Sequence, residues 1–468
     1  MTYLALGRRL FRARRLVLLV WGVVLLAALP IAPGVFRTLT AGGFSTPELE
    51  AARADELLAS HFGSNPASLY VVYQDPSGRL ASGDPRFLEQ IDASLADVRG
   101  LPAVEQVTAP SENPRQVAPD GRAAYATISL SADRQDFRQV LPSIQQALRP
   151  TSLELVLTGA PVFYEDIYDV TERDLRRAEV VSIPFAALAL VLVFGSLVAG
   201  AVPGLVGGTA VAVTLAGMVG LSRLTELSIF ALNLTTMLGL GLGIDYSLFI
   251  VSRFREELAR RGSVEEAVAW SLATAGRSVL FSGITVMVGL LALLVFDITA
   301  LRSMGLAGSL VVAVSVLAAL TLLPALLAML GRRVDALAIG PLAAAAARAG
   351  QAGQNGFWAR LARLVMARPV VFLVPLLALL IGLGLPFLRV EFGAPDASIL
   401  PTDVQSRRGF DLLRSHWGEG ELSPVLLVFQ TSDGSSALRP DHLPGLVDFI
   451  RRVQADPRVA RVQSAVSL

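Results

Sequence analysis

Seven apolar stretches constrain the fold of this chain more than any other feature of its sequence. A helix needs ~20 mostly apolar residues to cross a bilayer. Stretches of about that length, numbered spans 1 to 7, lie at Leu16–Pro33, Val180–Val198, Ala201–Leu221, Ser228–Val251, Ser278–Phe296, Met304–Leu330 and Val370–Leu388. Only 17% of the residues are charged, whereas soluble domains are charged at about a quarter of their positions. The sequence therefore predicts a polytopic α-helical membrane protein with about seven spans.

Arginine residues beside the spans predict the orientation of the chain, because cytoplasmic flanks carry an excess of positive charge. Clusters precede span 1, follow spans 4 and 6, and precede span 7: Arg8, Arg9, Arg12, Arg14 and Arg15, then Arg253, Arg255, Arg260 and Arg261, then Arg332 and Arg333, then Arg360, Arg363 and Arg368. A cytoplasmic N-terminus places all four clusters on one side of the plasma (inner) membrane. Arg176 and Arg177 fall on the other side, where Glu172, Asp174 and Glu179 dilute their charge.

The chain contains an internal repeat. The segment "DELLASHFG" (Asp55–Gly63) returns as "DLLRSHWG" (Asp411–Gly418), and "LPAVEQV" (Leu101–Val107) returns as "DPRVARV" (Asp456–Val462) at the same offset. Span 7 copies span 1 at nearly that offset, and a span so deep in the chain is not a signal peptide. We therefore expect span 1 to be a retained span and not a cleaved signal peptide. Duplicated halves are a common plan in transporters.

The region between spans 1 and 2 is polar enough to fold in water. Alternating and β-branched residues predict strands, and amphipathic stretches predict helices, in the order Leu69–Gln74, Arg86–Arg99, Ala103–Val107, Ala124–Leu130, Arg134–Leu148 and Leu153–Leu157. The order β-α-β-β-α-β is that of a ferredoxin-like extracytoplasmic domain. After span 7 the pattern begins again with a strand, a helix and a strand at Val425–Gln430, His442–Gln454 and Val459–Gln463. We expect this second domain to be incomplete.

These elements divide the chain into six predicted regions. The regions are the cytoplasmic N-terminus with span 1 (1–36), the first extracytoplasmic domain (37–178), spans 2 to 6 (179–331), a cytoplasmic linker (332–368), span 7 (369–389) and the start of the second extracytoplasmic domain (390–468). Within the linker, Val334–Gly356 is rich in Ala and Gly and is predicted to be flexible. Phe357–Met366 is predicted to be a helix on the inner membrane surface.

Span 4 contains one acid, Asp245, in the segment "LGLGLGIDYSLFIVSRFREEL". An acid in the middle of a spanning helix costs ~2.5–3.5 kcal/mol on insertion scales, so it needs a partner or a use. Gly239, Gly241 and Gly243 precede it, and small residues let another helix approach closely. Gly241 lies four positions before the acid and shares its face. We therefore expect Asp245 to point at a neighbouring helix.

Two interpretations of Asp245 stay open at this point. One is a structural carboxylate that is permanently bonded to a polar neighbour. The other is a proton-carrying site, because burial disfavours the charged form of a carboxyl and lets it load and release protons near neutral pH. The adjacent Tyr246 can donate its hydroxyl or can be an ordinary packed aromatic residue. Ser282 in span 5 can contact the site or can bond its own helix backbone.

Several segments resemble MMPL-type transporters of the RND superfamily. They are the span 4 segment around Asp245, "TAGRSVLFSGITV" (Thr274–Val286), "VFGSLVAGAVPGLVGG" (Val193–Gly208) and "AGGFSTPELEAARADELL" (Ala41–Leu58). Spans 2 to 6 also resemble a sterol-sensing arrangement. The resemblance implies an inner-membrane exporter of lipids or other hydrophobic molecules that is driven by protons. It also implies a proton relay of Asp245 and Tyr246 with an equivalent pair in span 10, contacted by Ser282.

The resemblance implies twelve spans, and this sequence ends at Leu468, before the predicted spans 8 to 12. We therefore expect the chain to be the first half and the start of the second half of such a transporter. The implied partner of the relay is the missing second half or, less simply, a second copy of the chain. A function in a different class is a non-transporting lipid-sensing regulator or an accessory protein of protein export.

Other classes of function lack support in the sequence. The chain has no cysteine, and His61, His416 and His442 lack metal-ligand spacing. The net charge of +1 argues against a nucleic-acid binder held by bulk charge. The glycines of span 4 lie inside one apolar helix, unlike a dinucleotide or phosphate loop. With no convincing nucleophile and base either, we expect a protein without enzymatic activity, cofactor or metal.

Overall fold

The protein forms two compact units in a computed structural model. The structure describes residues 3–40, 49–62, 67–130, 137–340, 357–390, 396–418, 425–431, 435–459, 461–462 and 464. The first unit comprises Met1–Phe44 and Val170–Ala394, and the second comprises Ser45–Asp169 and Pro395–Leu468.

In the described parts of the chain, seven helices are long and apolar enough to cross a membrane, which confirms the number of spans predicted from the sequence. In order, spans 1 to 7 occupy Arg14–Thr38, Ala160–Phe194, Leu197–Leu221, Phe230–Arg261, Val264–Val295, Thr299–Asp335 and Pro369–Arg389. In the most apolar 18 residues of span 6, 72% of the residues are buried, so this span lies at the centre of the bundle. In the corresponding 18 residues of span 7, 0% are buried.

Spans 5 and 6 are each interrupted by one π-helical segment. Span 5 joins the helices Val264–Ser271 and Arg277–Leu291 through the π segment Leu272–Gly276. Span 6 joins Thr299–Leu317 to Leu323–Leu330 through the π segment Ala318–Leu322. Such segments are rare and are frequently found at functional sites.

Two short helices accompany the spans. The N-terminal helix Tyr3–Arg12 packs on Val264–Ser271, where Gly7 lies against the backbone of Ala269 and Arg8 pairs with Glu266 at 3.1 Å. The helix Phe357–Ala367 lies where the sequence predicts a surface helix. Of the predicted flexible linker, the structure describes residues 334–340, and residues 341–356 lie outside the described residues.

The second unit contains an antiparallel sheet of four strands in the order β2-β3-β1-β4. The strands are β1 Ala67–Gln74, β2 Val104–Thr108, β3 Ala123–Leu130 and β4 Glu154–Gly159, and the helices before and between them are Glu50–Phe62, Pro85–Leu95 and Phe137–Ala147. The register pairs Val71 with Ala126 of β3 and with Leu157 of β4. Because strand side chains alternate, Leu69 and Val71 join one core with Phe87 and Ile144 of the helices.

The other face of the sheet is covered by the helix Gln405–Trp417, which comes from the far end of the sequence. Leu413 packs against Val72 and Tyr125, and the Thr158 hydroxyl donates to the Ser406 carbonyl over 2.9 Å. Gly409 fits against Thr158 because a Cβ at this position would overlap that side chain. The copied segment Asp411–Gly418 is therefore part of the same compact unit as the first sheet.

The strand predicted at Val425–Gln430 is wrong, because these residues are irregular. Of the strand predicted at Val459–Gln463, residues 459 and 461–462 are irregular, and residues 460 and 463 lie outside the described residues. A strand needs a neighbouring strand to satisfy its backbone, and in the described parts of the chain the sheet consists of β1 to β4. The helix predicted between them is confirmed as Leu443–Gln454.

Candidate functional site around Asp245

Span 4 has a buried face and an exposed face. Met237, Gly241, Asp245 and Phe249 succeed one another at intervals of four residues and are all exposed, as one row of a helix surface. We call these four residues the exposed row. The expectation that a neighbouring helix covers Asp245 is therefore wrong for the described residues. The physical reason is that spans 3, 5 and 6 pack on the other sides of this helix.

The three glycines of span 4 have different surroundings. Gly239 lies between spans 3 and 6, where a Cβ would come within 2.7 Å of a Val211 methyl group and 2.8 Å of a Val311 methyl group. Gly243 lies against Gly207 of span 3, so closely that a Cβ would overlap the Gly207 backbone. Gly241 has nothing within 4 Å of a Cβ position. Two of the glycines thus permit a helix contact, and the third belongs to the exposed row.

Tyr246 points away from Asp245 into the bundle. Its side chain is 5% exposed, and its hydroxyl lies beside Ser282 and Gly283 of span 5. The hydroxyl groups of Tyr246 and Ser282 are close but do not reach hydrogen-bond geometry, and no other described group bonds the Tyr246 hydroxyl. Gly283 leaves room for Val316 of span 6 in the same place. The structure therefore brings Tyr246 and Ser282 together, with Asp245 on the adjoining exposed side.

A second carboxylate on span 4, Glu257, was missed by the sequence reasoning. It is 1% exposed, and its oxygens lie 2.8 Å from Arg253 and 2.5 Å from Arg261. These partners stand four residues before and four residues after the acid, which is the spacing of neighbours on one helix face. The spacing of the charged residues in "RFREELARR" could therefore have predicted this cluster. The number of charges by itself indicates only that the span ends there.

Arg253 also connects the end of span 4 to the π segment of span 5. Its Nε donates to the Thr274 hydroxyl over 3.2 Å. The two π segments contact each other, because Gly276 of span 5 lies against Leu320 of span 6. The Trp21 indole of span 1 donates to Thr321 of the span 6 π segment over 3.0 Å. These contacts join the end of span 4 to span 5, span 5 to span 6, and span 6 to span 1.

Asp245 contributes a carboxylate on the exposed row, and Tyr246 and Ser282 contribute two hydroxyl groups that lie close to each other. A carboxylate accepts hydrogen bonds, and a hydroxyl group donates and accepts them. Within the residues that the structure describes, no group of three or more His, Cys, Asp or Glu side chains could hold a metal ion.

Comparison with known proteins places the chain among membrane proteins of one family. The MMPL family profile matches residues 44–372. A putative membrane protein of Streptomyces coelicolor is 35% identical over 432 residues, which cover 91% of this chain and 59% of that protein. The trehalose monomycolate exporter MmpL3 of Mycolicibacterium smegmatis is 32% identical over 344 residues, which cover 67% of this chain and 33% of the exporter.

The trehalose monomycolate exporter MmpL3 of Mycobacterium tuberculosis is 28% identical over 470 residues. The match covers 91% of this chain and 48% of that protein. The chain thus spans about half the length of the curated relatives that it matches. The match of the family profile and the seven spans together show that this multi-pass membrane protein belongs to the MMPL family.

Proposed function

We propose that this chain forms part of an exporter of lipids or other hydrophobic molecules that is driven by the proton gradient. The family membership supports transport, and relatives named as trehalose monomycolate exporters support a lipid as the class of substrate. The chain carries out no enzymatic reaction in this proposal.

The observation that carries the proposal is the position of Asp245. Asp245 is an acid in the middle of an apolar helix. The hydroxyl group of its neighbour Tyr246 lies near Ser282 of span 5 and has no hydrogen-bond partner among the described residues. A structural carboxylate would be held by a polar partner, whereas the carboxylate of Asp245 is exposed. In this proposal, the exposed carboxylate of Asp245 is the group that carries the proton.

The exposed row is, in this proposal, the surface on which a second bundle with its own Asp-Tyr pair packs. Helix association in membranes uses small residues for close approach, and Gly241 has open space beside it. The N-terminus is cytoplasmic, as the arginine clusters favour. The sheet of the second unit is a ferredoxin-like domain, and its order β2-β3-β1-β4 supports this assignment.

Proton flux in vesicles tests the proposal. The proposed exporter that contains this chain, reconstituted with a trapped pH-sensitive dye, should move protons when substrate lipid is present, and Asp245→Asn should abolish this flux. Asp297→Asn is the matched control, because Asp297 is an exposed acid between spans 5 and 6 and should leave the flux unchanged. Wild-type flux in Asp245→Asn protein would contradict the relay. Reconstituted wild-type protein that moves no protons would favour the alternative function, a non-transporting lipid-sensing regulator.

Reporter fusions test the orientation separately. A reporter at Gln116 should be active only outside the cytoplasm, and a reporter at Gln354 only inside. Activity of both reporters on one side of the membrane would contradict the proposed topology.

A further inference from the structure

The segment that ends span 6 folds back across the short turn between spans 2 and 3. We call this segment, residues 334–340, the strap. Ala338 of the strap forms an antiparallel bridge with Ser196 of the turn. Two backbone hydrogen bonds flank the bridge: the Leu197 amide donates to the Leu337 carbonyl over 3.4 Å, and the Ile339 amide donates to the Gly195 carbonyl over 3.1 Å.

The side chain of Ser196 anchors the strap from inside the bundle. It is 1% exposed, and its hydroxyl group lies 3.1 Å from the Val334 carbonyl and 2.8 Å from the Ala336 carbonyl. The same oxygen accepts from the Ala199 amide over 3.3 Å and so caps the helix of span 3. One buried hydroxyl group therefore joins the strap to the beginning of span 3.

Arg255 of span 4 adds a second attachment. Its Nε lies 2.7 Å from the carboxylate of Asp335, the last residue of span 6. Its Nη1 donates to the carbonyl of Phe194, the last residue of span 2, over 3.0 Å, and the guanidinium lies over the Phe194 ring at 5.7 Å. The strap and Arg255 together join the ends of spans 2, 3, 4 and 6.

The contacts that close the strap are few, and one of its residues is strained. Leu337 has a φ of 57° and is the one residue other than glycine with a positive φ in the described parts of the chain. A bulky side chain makes this conformation unfavourable, and such strain persists only where the surroundings impose it. The Leu337 side chain is 69% exposed, so backbone hydrogen bonds and not side-chain packing hold it there.

We propose that the strap is a releasable clamp on this end of the bundle. Closed, it holds the ends of spans 2, 3, 4 and 6 in one arrangement. Open, it relieves the strain at Leu337, exposes Val334 and frees these ends to move apart, while the rest of the bundle stays folded, as in other local openings of native proteins. The clamp depends on contacts at the ends of the spans and is independent of proton binding by Asp245.

Thiol labelling of the purified 468-residue protein measures the opening. The chain has no cysteine, so a single introduced cysteine is the only thiol. Val334 is 0% exposed, so Val334→Cys protein should react with a maleimide only when the strap opens. Leu337→Cys protein reports the rate at an exposed position of the closed strap. We expect labelling of Val334→Cys protein to be slower by at least about tenfold, because it requires local opening.

Two further substitutions in the Val334→Cys protein should loosen the strap. Asp335→Asn removes an ion pair whose side chains are 27% and 51% exposed, and should raise the labelling rate about two- to fivefold. Ser196→Ala removes a buried hydroxyl group that serves two carbonyls, and should raise the rate about tenfold. Glu256→Gln is the matched control, because Glu256 pairs with Arg253 of the same span and should leave the rate unchanged.

Val311→Cys protein separates opening of the strap from unfolding of the bundle. Val311 lies within span 6 and is 0% exposed, so a cysteine there reacts only when the bundle unfolds. Asp335→Asn should leave this rate unchanged, and an equal increase at positions 311 and 334 would overturn the proposal. Labelling at position 334 as fast as at position 337, or unaffected by both Asp335→Asn and Ser196→Ala, would overturn it too.

Discussion

The two faces of span 4 have similar residues and opposite surroundings. Gly239 and Gly243 lie in close contact with spans 3 and 6, whereas Gly241, between them in sequence, has open space on the exposed row. Small residues on the buried face serve helix packing, and Asp245 shares the exposed face with Met237. The difference shows that a glycine motif in a span has no single role, because each glycine takes its role from the helix that faces it.

The largest effect on this comparison is expected from Gly243→Val. The added side chain would overlap the Gly207 backbone, and a backbone cannot move aside as a flexible side chain can. Overpacking commonly costs ~1–3 kcal/mol, and we expect this substitution at or above the upper end. The yield of monodisperse protein in detergent measures the effect. A normal yield with an unchanged melting midpoint would show that spans 3 and 4 are not closely packed.

A smaller loss of stability is expected from Glu257→Ala, at the far end of the buried face. The buried carboxylate pairs with Arg253 and Arg261, which are themselves partly exposed. The cost should therefore lie between the ~1 kcal/mol upper range of exposed pairs and the ~3–5 kcal/mol of fully buried pairs. Thermal unfolding measures it against Glu256→Ala, since Glu256 bonds the same Arg253 but is 60% exposed. Equal midpoints in the two variants would contradict a special role of burial.

The sequence was sufficient to predict the seven spans, the strands β1 to β4 and the two helices between these strands, and insufficient to predict which faces meet. β-branched residues placed β3 within one residue of its observed start, because such side chains fit a pleated sheet. Glycines at every second position of span 4 do not reveal which face is covered, since the contacting residues Gly207 and Val311 belong to other spans. The sequence therefore identified Asp245 and Tyr246 as candidate residues, but it did not predict that Asp245 is exposed and Tyr246 is buried.

Contacts between distant segments account for the other gap. The helix Gln405–Trp417 covers the sheet through Leu413, far from β1 and β3 in sequence. The sequence reasoning did not predict this helix, and local sequence contains no information about the surface that a helix covers. The same limit explains why Val425–Gln430 looked like a strand: its residues favour strands, and pairing depends on a neighbour that local sequence does not supply.

A mild effect on stability is expected from Tyr246→Phe, which lies between the two faces. The lost hydroxyl group has no partner among the described residues, so the free energy of unfolding should stay constant or rise by up to ~1 kcal/mol. Tyr73→Phe in the second unit is the matched control, because that buried hydroxyl bonds Ser94 over 2.7 Å and its loss should cost ~1 kcal/mol. Thermal unfolding compares the two. A destabilised Tyr246→Phe protein would reveal a partner for this hydroxyl group, such as bound water.

The smallest effect is expected from Gly241→Val, which makes the same substitution as Gly243→Val two positions earlier in the same helix. A side chain at Gly241 meets nothing within 4 Å in the described residues, so the 468-residue chain should keep its yield and its melting midpoint. A packed second bundle would reverse this result in any larger assembly, because the exposed row would then be a helix contact that needs small residues. Thermal unfolding of Gly241→Val in the 468-residue chain alone and in an assembly with a second bundle measures the difference. An equal lack of effect in both would show that the exposed row faces lipid, and that the two faces of span 4 differ for a reason other than partner packing.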